Sequence, residues 1–127
     1  VHSHTEPHQT ENKQDASESV FLTKAIELVE KNLHVPGYSV EQLSRDLCME
    51  RTGLYRKLVA MLDQSPSLFI RNIRLQRAAQ LILEGSLSIT EIAERTGFSS
   101  SSYLSKCFQE MYGCRPSEYA EKMQKST

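Results

Sequence analysis

The sequence predicts an all-α fold of about seven helices, arranged as two tandem helix-turn-helix subdomains joined by a long connecting helix. Three observations carry this. Apolar residues recur at helical spacing through most of the chain. A nine-residue segment, Ser39-Val-Glu-Gln-Leu-Ser-Arg-Asp-Leu, returns 49 positions later as Ser88-Ile-Thr-Glu-Ile-Ala-Glu-Arg-Thr, and self-similarity at a fixed offset marks a repeated structural unit. Between the two copies, Ser65-Pro66 has the form of a helix start and Gly85 that of a helix stop.

Taken in order, residues 1–19 are polar and nearly free of apolar side chains. Such a segment cannot bury enough surface to offset its ordering entropy, so a disordered linker is expected. His2, His4 and His8 fall within it; at most they would bind a metal weakly, and no metal site is expected. From Val20 onward Leu22, Ile26, Val29 and Leu33 lie on one helical side, with Phe21, Ala25 and Leu28 beside them. That first helix should end before Pro36-Gly37. Ser39 and Gln42 have the spacing of a capping box, and Val40, Leu43 and Leu47 supply the buried stripe of a short second helix. After a tight turn comes a longer helix, with Leu54, Leu58, Met61 and Leu62 inward and Arg51, Thr52, Tyr55 and Arg56 outward. This completes a first helix-turn-helix subdomain over 20–64.

The connecting helix spans 65–84, and its apolar residues divide. Phe69, Ile70 and Ile73 fall on one side, whereas Leu75, Ala78, Ala79 and Ile82 fall nearly opposite when each residue advances about 100°. One side should pack on each copy. The second subdomain, 85–127, repeats the first. After one extra residue the offset becomes 50 and pairs Leu54 with Leu104, Leu58 with Phe108, Met61 with Met111 and Pro66 with Pro116. Leu104, Phe108, Met111 and Tyr112 are the expected buried stripe. Ser101, Ser102, Ser105, Lys106 and Gln109 lie outward, and Ser99 or Ser100 caps the helix.

Net charge is −1 over the 127 residues, but it is unevenly spread. Seven bases face three acids between 45 and 77, whereas three bases face six acids between 1 and 35. A local basic patch suits phosphate attraction, although a solvated helix face would look the same. Three cysteines without C-x2-C spacing fit reduced, mostly buried thiols in a cytoplasmic protein. No apolar run is long enough to span a membrane, and nothing resembles a signal peptide. The start at Val1 instead of Met is expected of a piece of a longer protein. No nucleophile, base and orienting residue occur together, and no phosphate loop is present, so an enzyme is not expected, nor a cofactor.

Taken together, Leu54-Tyr-Arg-Lys-Leu, Gln64-Ser-Pro-Ser, Arg74-Leu-Gln-Arg-Ala-Ala-Gln-Leu-Ile-Leu, Ile89-Thr-Glu-Ile-Ala and Thr96-Gly-Phe resemble the AraC-type (AraC/XylS) transcription regulators. The match covers residues 20–123. Copy one looks most like the C-terminal output domain of bacterial hybrid two-component regulators. The resemblance implies a transcription regulator coupled to a sensed signal, with RNA polymerase as a further partner and dimerisation through regions absent from this chain. Cys48 and Asp63 stand where the family often has Gly. A left-handed backbone costs a residue with a Cβ about 1 to 2 kcal/mol, so the first turn is expected to distort. Gly53 inside the first outward-facing helix should cost about 1 kcal/mol relative to Ala, unless it permits close approach to DNA.

On this reading the chain binds double-stranded DNA through two helices in successive major-groove segments. Arg51 and Arg56 can present a guanidinium fork to guanine O6 and N7. Thr52, Tyr55, Ser101, Ser102, Ser105, Lys106 and Gln109 complete the base-reading set, and Lys57, Arg71 and Arg77 would hold phosphate. Each also has a plainer role as solvated surface, and Tyr55 as core. Arg74 is expected to be structural, pairing with Glu91 or a carbonyl. The alternative function is a helical protein-protein interaction module using the same polar faces.

Overall fold

The computed structural model describes the backbone of residues 5–125 and the side-chain surroundings of residues 16–124. Among these it is all-helical, as expected: α1 (Thr5–Lys31), α2 (Val40–Asp46), α3 (Arg51–Leu62), α4 (Pro66–Glu84), α5 (Ile89–Arg95), α6 (Ser101–Tyr112) and α7 (Pro116–Lys125).

α1 starts well before Val20, so the disordered linker expected over 1–19 is corrected for residues 5–19. Pro7 falls in the first turn, where its missing N–H costs no hydrogen bond. Beyond it, the Glu, Gln, Lys and Ala of this stretch do not oppose a helix. Once 20–31 is helical, propagation adds one bond per residue and needs no buried face. Ala16, Ser17, Ser19 and Val20 are accordingly exposed. His2 and His4 lie outside the described residues, as do the side-chain surroundings of His8.

The short helices begin as their sequences indicate. Ser39 accepts from the Gln42 N–H at 3.3 Å while the Ser39 N–H donates to Gln42 Oε1 at 3.2 Å. Ser88 and Glu91 repeat the exchange at 3.2 and 3.1 Å. The partner of Glu91 is therefore its own helix start. Ser65 caps α4 by accepting from the Leu68 N–H, with Pro66 in the first turn, and Gly85 ends it at φ 75°. Ser100 caps α6, whereas Glu50, its counterpart before α3, makes no side-chain capping bond.

Two apolar cores form on opposite sides of α4. Phe69, Ile70 and Ile73 close the first with Ala25, Val29, Leu33, Leu43, Leu54 and Leu58. Leu75, Ala78, Ala79 and Leu81 close the second with Ile92, Ala93, Phe98, Leu104, Cys107 and Phe108. The division of α4 read from its sequence is thus the division of the fold. Met111, expected in the core, is 39 % exposed. Phe108, Tyr112 and Tyr119 stack with centroids 4.5 to 5.2 Å apart and close that side of the core. Met111, off the 104–108–112 line, turns outward, and Cys107 is buried in the core instead. Cys48, by contrast, is exposed.

The expected distortion of the first turn is also corrected. Cys48 adopts φ 57° and its counterpart Gly97 φ 79°. The turn bonds match: Cys48 N to Arg45 O at 3.0 Å and Met49 N to Ser44 O at 2.9 Å, against Gly97 N to Glu94 O at 3.3 Å and Phe98 N to Ala93 O at 2.9 Å. Cys48 takes on the left-handed conformation and keeps the turn intact. Asp63 does the same at φ 56° where the second copy has Gly113 at φ 75°.

Arg74 lies between the two cores and is 6 % exposed. Its Nη1 donates to Leu33 O at 2.5 Å and Thr96 O at 2.7 Å, and its Nη2 to Val35 O at 3.0 Å. Burial draws its pKa below the usual arginine value, and the three carbonyls replace the lost water around the cation. Glu91, one of the partners expected for it, is engaged at Ser88; backbone carbonyls supply the other expectation. Gly97 packs so closely here that a Cβ would overlap Arg74 Nη1 and Leu33 O.

Candidate nucleic-acid interface

α3 is held by Leu54 and Leu58, both fully buried, and its period places Arg51, Thr52, Tyr55 and Arg56 on the opposite side, where all four are exposed. Tyr55, at 53 % exposure, is not core. Arg51, Thr52 and Tyr55 share a depression with Val40, Ser65, Pro66 and Ser67. Val40, Ser65 and Ser67 also line a second cleft, of about 670 Å³, whose far wall is Gly97, Phe98, Ser99 and Tyr103. The two hollows adjoin at these shared residues, and together their walls form a groove lined from α3 across the start of α4 to the first turn of α6.

The second copy repeats the hollow beside α3. Ser105, Ile89, Arg115, Pro116 and Ser117 line it, standing where Tyr55, Val40, Ser65, Pro66 and Ser67 stand in the first. Ser102, Lys106 and Gln109 are exposed and Ser101 and Ser105 half-buried. The structure thus brings together Arg51, Thr52 and Tyr55, and gives α6 a matching face of shorter donors. Arg56, Lys106 and Gln109 border none of these hollows.

The three expected phosphate contacts do not form one cluster. Lys57 places its Nζ 4.6 Å from the centroid of Phe21, a cation–π contact that ties α3 to α1. Arg71 lines the central cleft and reaches Glu110 of α6 at 3.8 Å. Arg77 donates to Gln80 at 2.8 Å and sits in a separate hollow with Glu30, Leu33, His34, Leu81 and Arg95, away from every candidate reader.

Tyr103 is the residue that sequence reasoning passed over. It is 46 % exposed, packs its ring 5.9 Å from Phe98 and forms part of the groove wall. Its signal was available: an aromatic residue immediately before buried Leu104, and therefore off the inward face. Among the described residues no group of three or more His, Cys, Asp or Glu is placed to hold a metal, and no helix is long and apolar enough to cross a membrane.

A helix-turn-helix domain family matches residues 43–122. Histidine kinase P4 of Formosa agariphila is 39 % identical over 99 residues, 78 % of this chain and 7 % of that protein. The transcriptional regulator ArgR of Pseudomonas aeruginosa is 32 % identical over 97 residues, 76 % of this chain and 29 % of that one. The chain therefore spans less than a third of each of these relatives. A solved transcriptional regulator from Chromobacterium violaceum, described as an AraC-type DNA-binding-domain-containing protein, superposes with a TM-score of 0.76 at 30 % identity, covering 84 % of this chain and 95 % of that one.

Proposed function

This chain belongs to the AraC-type helix-turn-helix family, and from that membership we propose that it binds a specific double-stranded DNA site, with α3 and α6 in successive major-groove segments. The observation that carries the reading is the repeat itself: two capped helix, turn and helix units set on opposite faces of α4, each with an exposed donor-bearing helix. A helix of 19 residues is about 28 Å long, against the roughly 34 Å between groove segments on one face of DNA. In this role Arg51, Thr52, Tyr55 and Arg56 read the first element, with guanine the preferred partner of each arginine. Ser101, Ser102, Ser105, Lys106 and Gln109 read the second less sharply, because serine hydroxyls discriminate little. Arg71, lining the cleft between the elements, fits a phosphate contact best of the three expected ones. Lys57 fits one too if its cation–π contact is kept, and Arg77 fits least.

The division of labour follows residues 20–64, 65–84 and 85–127. The match to a small part of a histidine kinase supports the reading that this is the output domain of a larger signalling protein; that this protein is a cytoplasmic activator that contacts RNA polymerase and dimerises through other regions rests on the family resemblance alone. No step of that role asks for catalysis or a cofactor.

The test is binding of the chain to duplexes it selects from a random pool. Inserting half a helical turn between the two selected elements should weaken binding strongly, and rising salt should weaken it with a slope of about −0.9 per phosphate contacted. Binding indifferent to both would instead favour a protein partner for the polar faces.

A further inference from the structure

We propose that Arg74 is a positioning residue that sets the separation of DNA elements this chain accepts; the inference rests on the DNA-binding reading above. The two cores pack on opposite faces of α4, and between the units lies an open cleft of about 670 Å³. Two arginines of the shared helix reach beyond its apolar faces to the units. The Arg71–Glu110 pair is long, at 3.8 Å, and partly solvated, which makes it weak. Arg74 differs in every respect. A single buried guanidinium joins Leu33 and Val35, just beyond α1 in the first unit, to Thr96, which ends α5 in the second.

Thr96 occupies a decisive place. It is fully buried, its hydroxyl donates to Ile92 O at 2.7 Å, and Gly97, Phe98 and Ser99 follow directly before the cap of α6. Holding the Thr96 carbonyl therefore holds the entry to α6. Since α4 alone is shorter than the groove repeat, the tilt of the second unit on α4 must supply the difference. A clamp at the entry to α6 fixes that tilt. An arginine can bind three carbonyls in one plane with both terminal nitrogens, whereas a lysine ammonium, a single point of charge, cannot reproduce that fork. Arg74→Lys keeps the cation buried but slackens the join.

The experiment compares wild type and Arg74→Lys on duplexes selected by the wild type, remade with single base pairs added or removed between the elements. Affinity is expressed per folded molecule, judged by circular dichroism. Wild type should lose about tenfold per added or removed base pair, as expected where DNA must be twisted to fit a rigid protein. Arg74→Lys should lose no more than about twofold to threefold, with an unchanged salt slope. The same substitution is also made together with Cys48→Gly, whose released backbone strain keeps the folded fraction high. A variant that binds more weakly at every separation but keeps the wild-type preference would overturn the proposal and leave Arg74 a purely structural residue. A wild type that binds its selected duplexes equally at every separation would overturn it too, whereas failure of the DNA-binding reading looks different: the wild type would select no duplex and bind none above random DNA.

Discussion

Cys48 and Gly97 occupy the same place in two copies of one turn, so exchanging their side chains should move stability in opposite directions. Both adopt left-handed backbones, at φ 57° and 79°. Cys48→Gly removes an exposed side chain and releases about 1 to 2 kcal/mol of backbone strain. Glycine's extra freedom in the unfolded chain takes back about 0.5 to 1 kcal/mol. The net gain should be about 0.5 to 1 kcal/mol, or a rise in Tm of roughly 2 to 5 °C for a domain of this size. Gly97→Ala introduces the same strain. It also drives a Cβ into Arg74 Nη1 and Leu33 O, so at least one charged hydrogen bond is lost, at about 1.5 to 3 kcal/mol. Less the roughly 0.5 to 1 kcal/mol gained by removing glycine's freedom from the unfolded chain, the total is about 2 to 4 kcal/mol, a large share of the roughly 5 to 15 kcal/mol that stabilises most domains. Thermal and urea unfolding followed by circular dichroism measure both. A lower Tm for Cys48→Gly, or a Gly97→Ala variant as stable as wild type, would refute the reasoning.

Arg56→Ala should cost about 1 to 3 kcal/mol on the selected site and much less on random DNA. Lys57→Ala should weaken both alike and, by losing the contact over Phe21, also lower stability by about 0.5 to 1 kcal/mol. Competition binding and unfolding separate the two, and an equal loss on every sequence for Arg56→Ala would make it a phosphate clamp. Gly53→Ala should raise stability by about 1 kcal/mol, because its Cβ would meet only Met49 Cε at 3.8 Å. Affinity should not change; a fall would place the DNA backbone against Gly53. Acid should destabilise through Glu91, whose carboxyl the Ser88 N–H, and then the Ser88 hydroxyl, hold below the usual carboxylate range. Its contribution is complete above the unfolded pKa of about 4.3 and is lost as pH falls through the lower folded value. Glu91→Gln, which copies the non-titrating Gln42 of the first copy, should flatten the acid limb of stability against pH; an unaltered limb would show that Glu91 does not contribute.

Much of the fold was legible because its signals are local. Ser39, Ser65 and Ser88 announce helix starts that depend on three or four neighbouring residues, and the two faces of α4 follow from spacing alone. Residues 5–19 misled because composition measures whether a segment can bury itself, not whether an existing helix can run on through it. Met111 misled because periodicity cannot foresee three rings from two helices filling one side of a core. Cys48 misled in another way: a residue cost is not a veto where the surrounding hydrogen bonds over-determine the turn. Of the candidate site, the outward faces of α3 and α6 were readable from period. The groove joining them was not, since it arises from residues 39–40, 65–71 and 97–103 meeting across the chain. The carbonyl partners of Arg74 lie 22 to 41 positions away and leave no mark on the local sequence.

The helix that closes the second copy does a different job from the one that closes the first. α7 starts as α4 does, with Pro116 matching Pro66 and Tyr119 matching Phe69, and lies back against α4. Its next turn diverges. Where α4 has Arg71, Asn72, Ile73 and Arg74, α7 has Glu121, Lys122, Met123 and Gln124, all exposed. The turn that in α4 carries Ile73 of the first core and the buried Arg74 is therefore solvent-facing in α7. α7 thus works as a one-sided cover, its Tyr119 closing the second core while its next turn stays polar, where α4 is a two-sided partition between both cores.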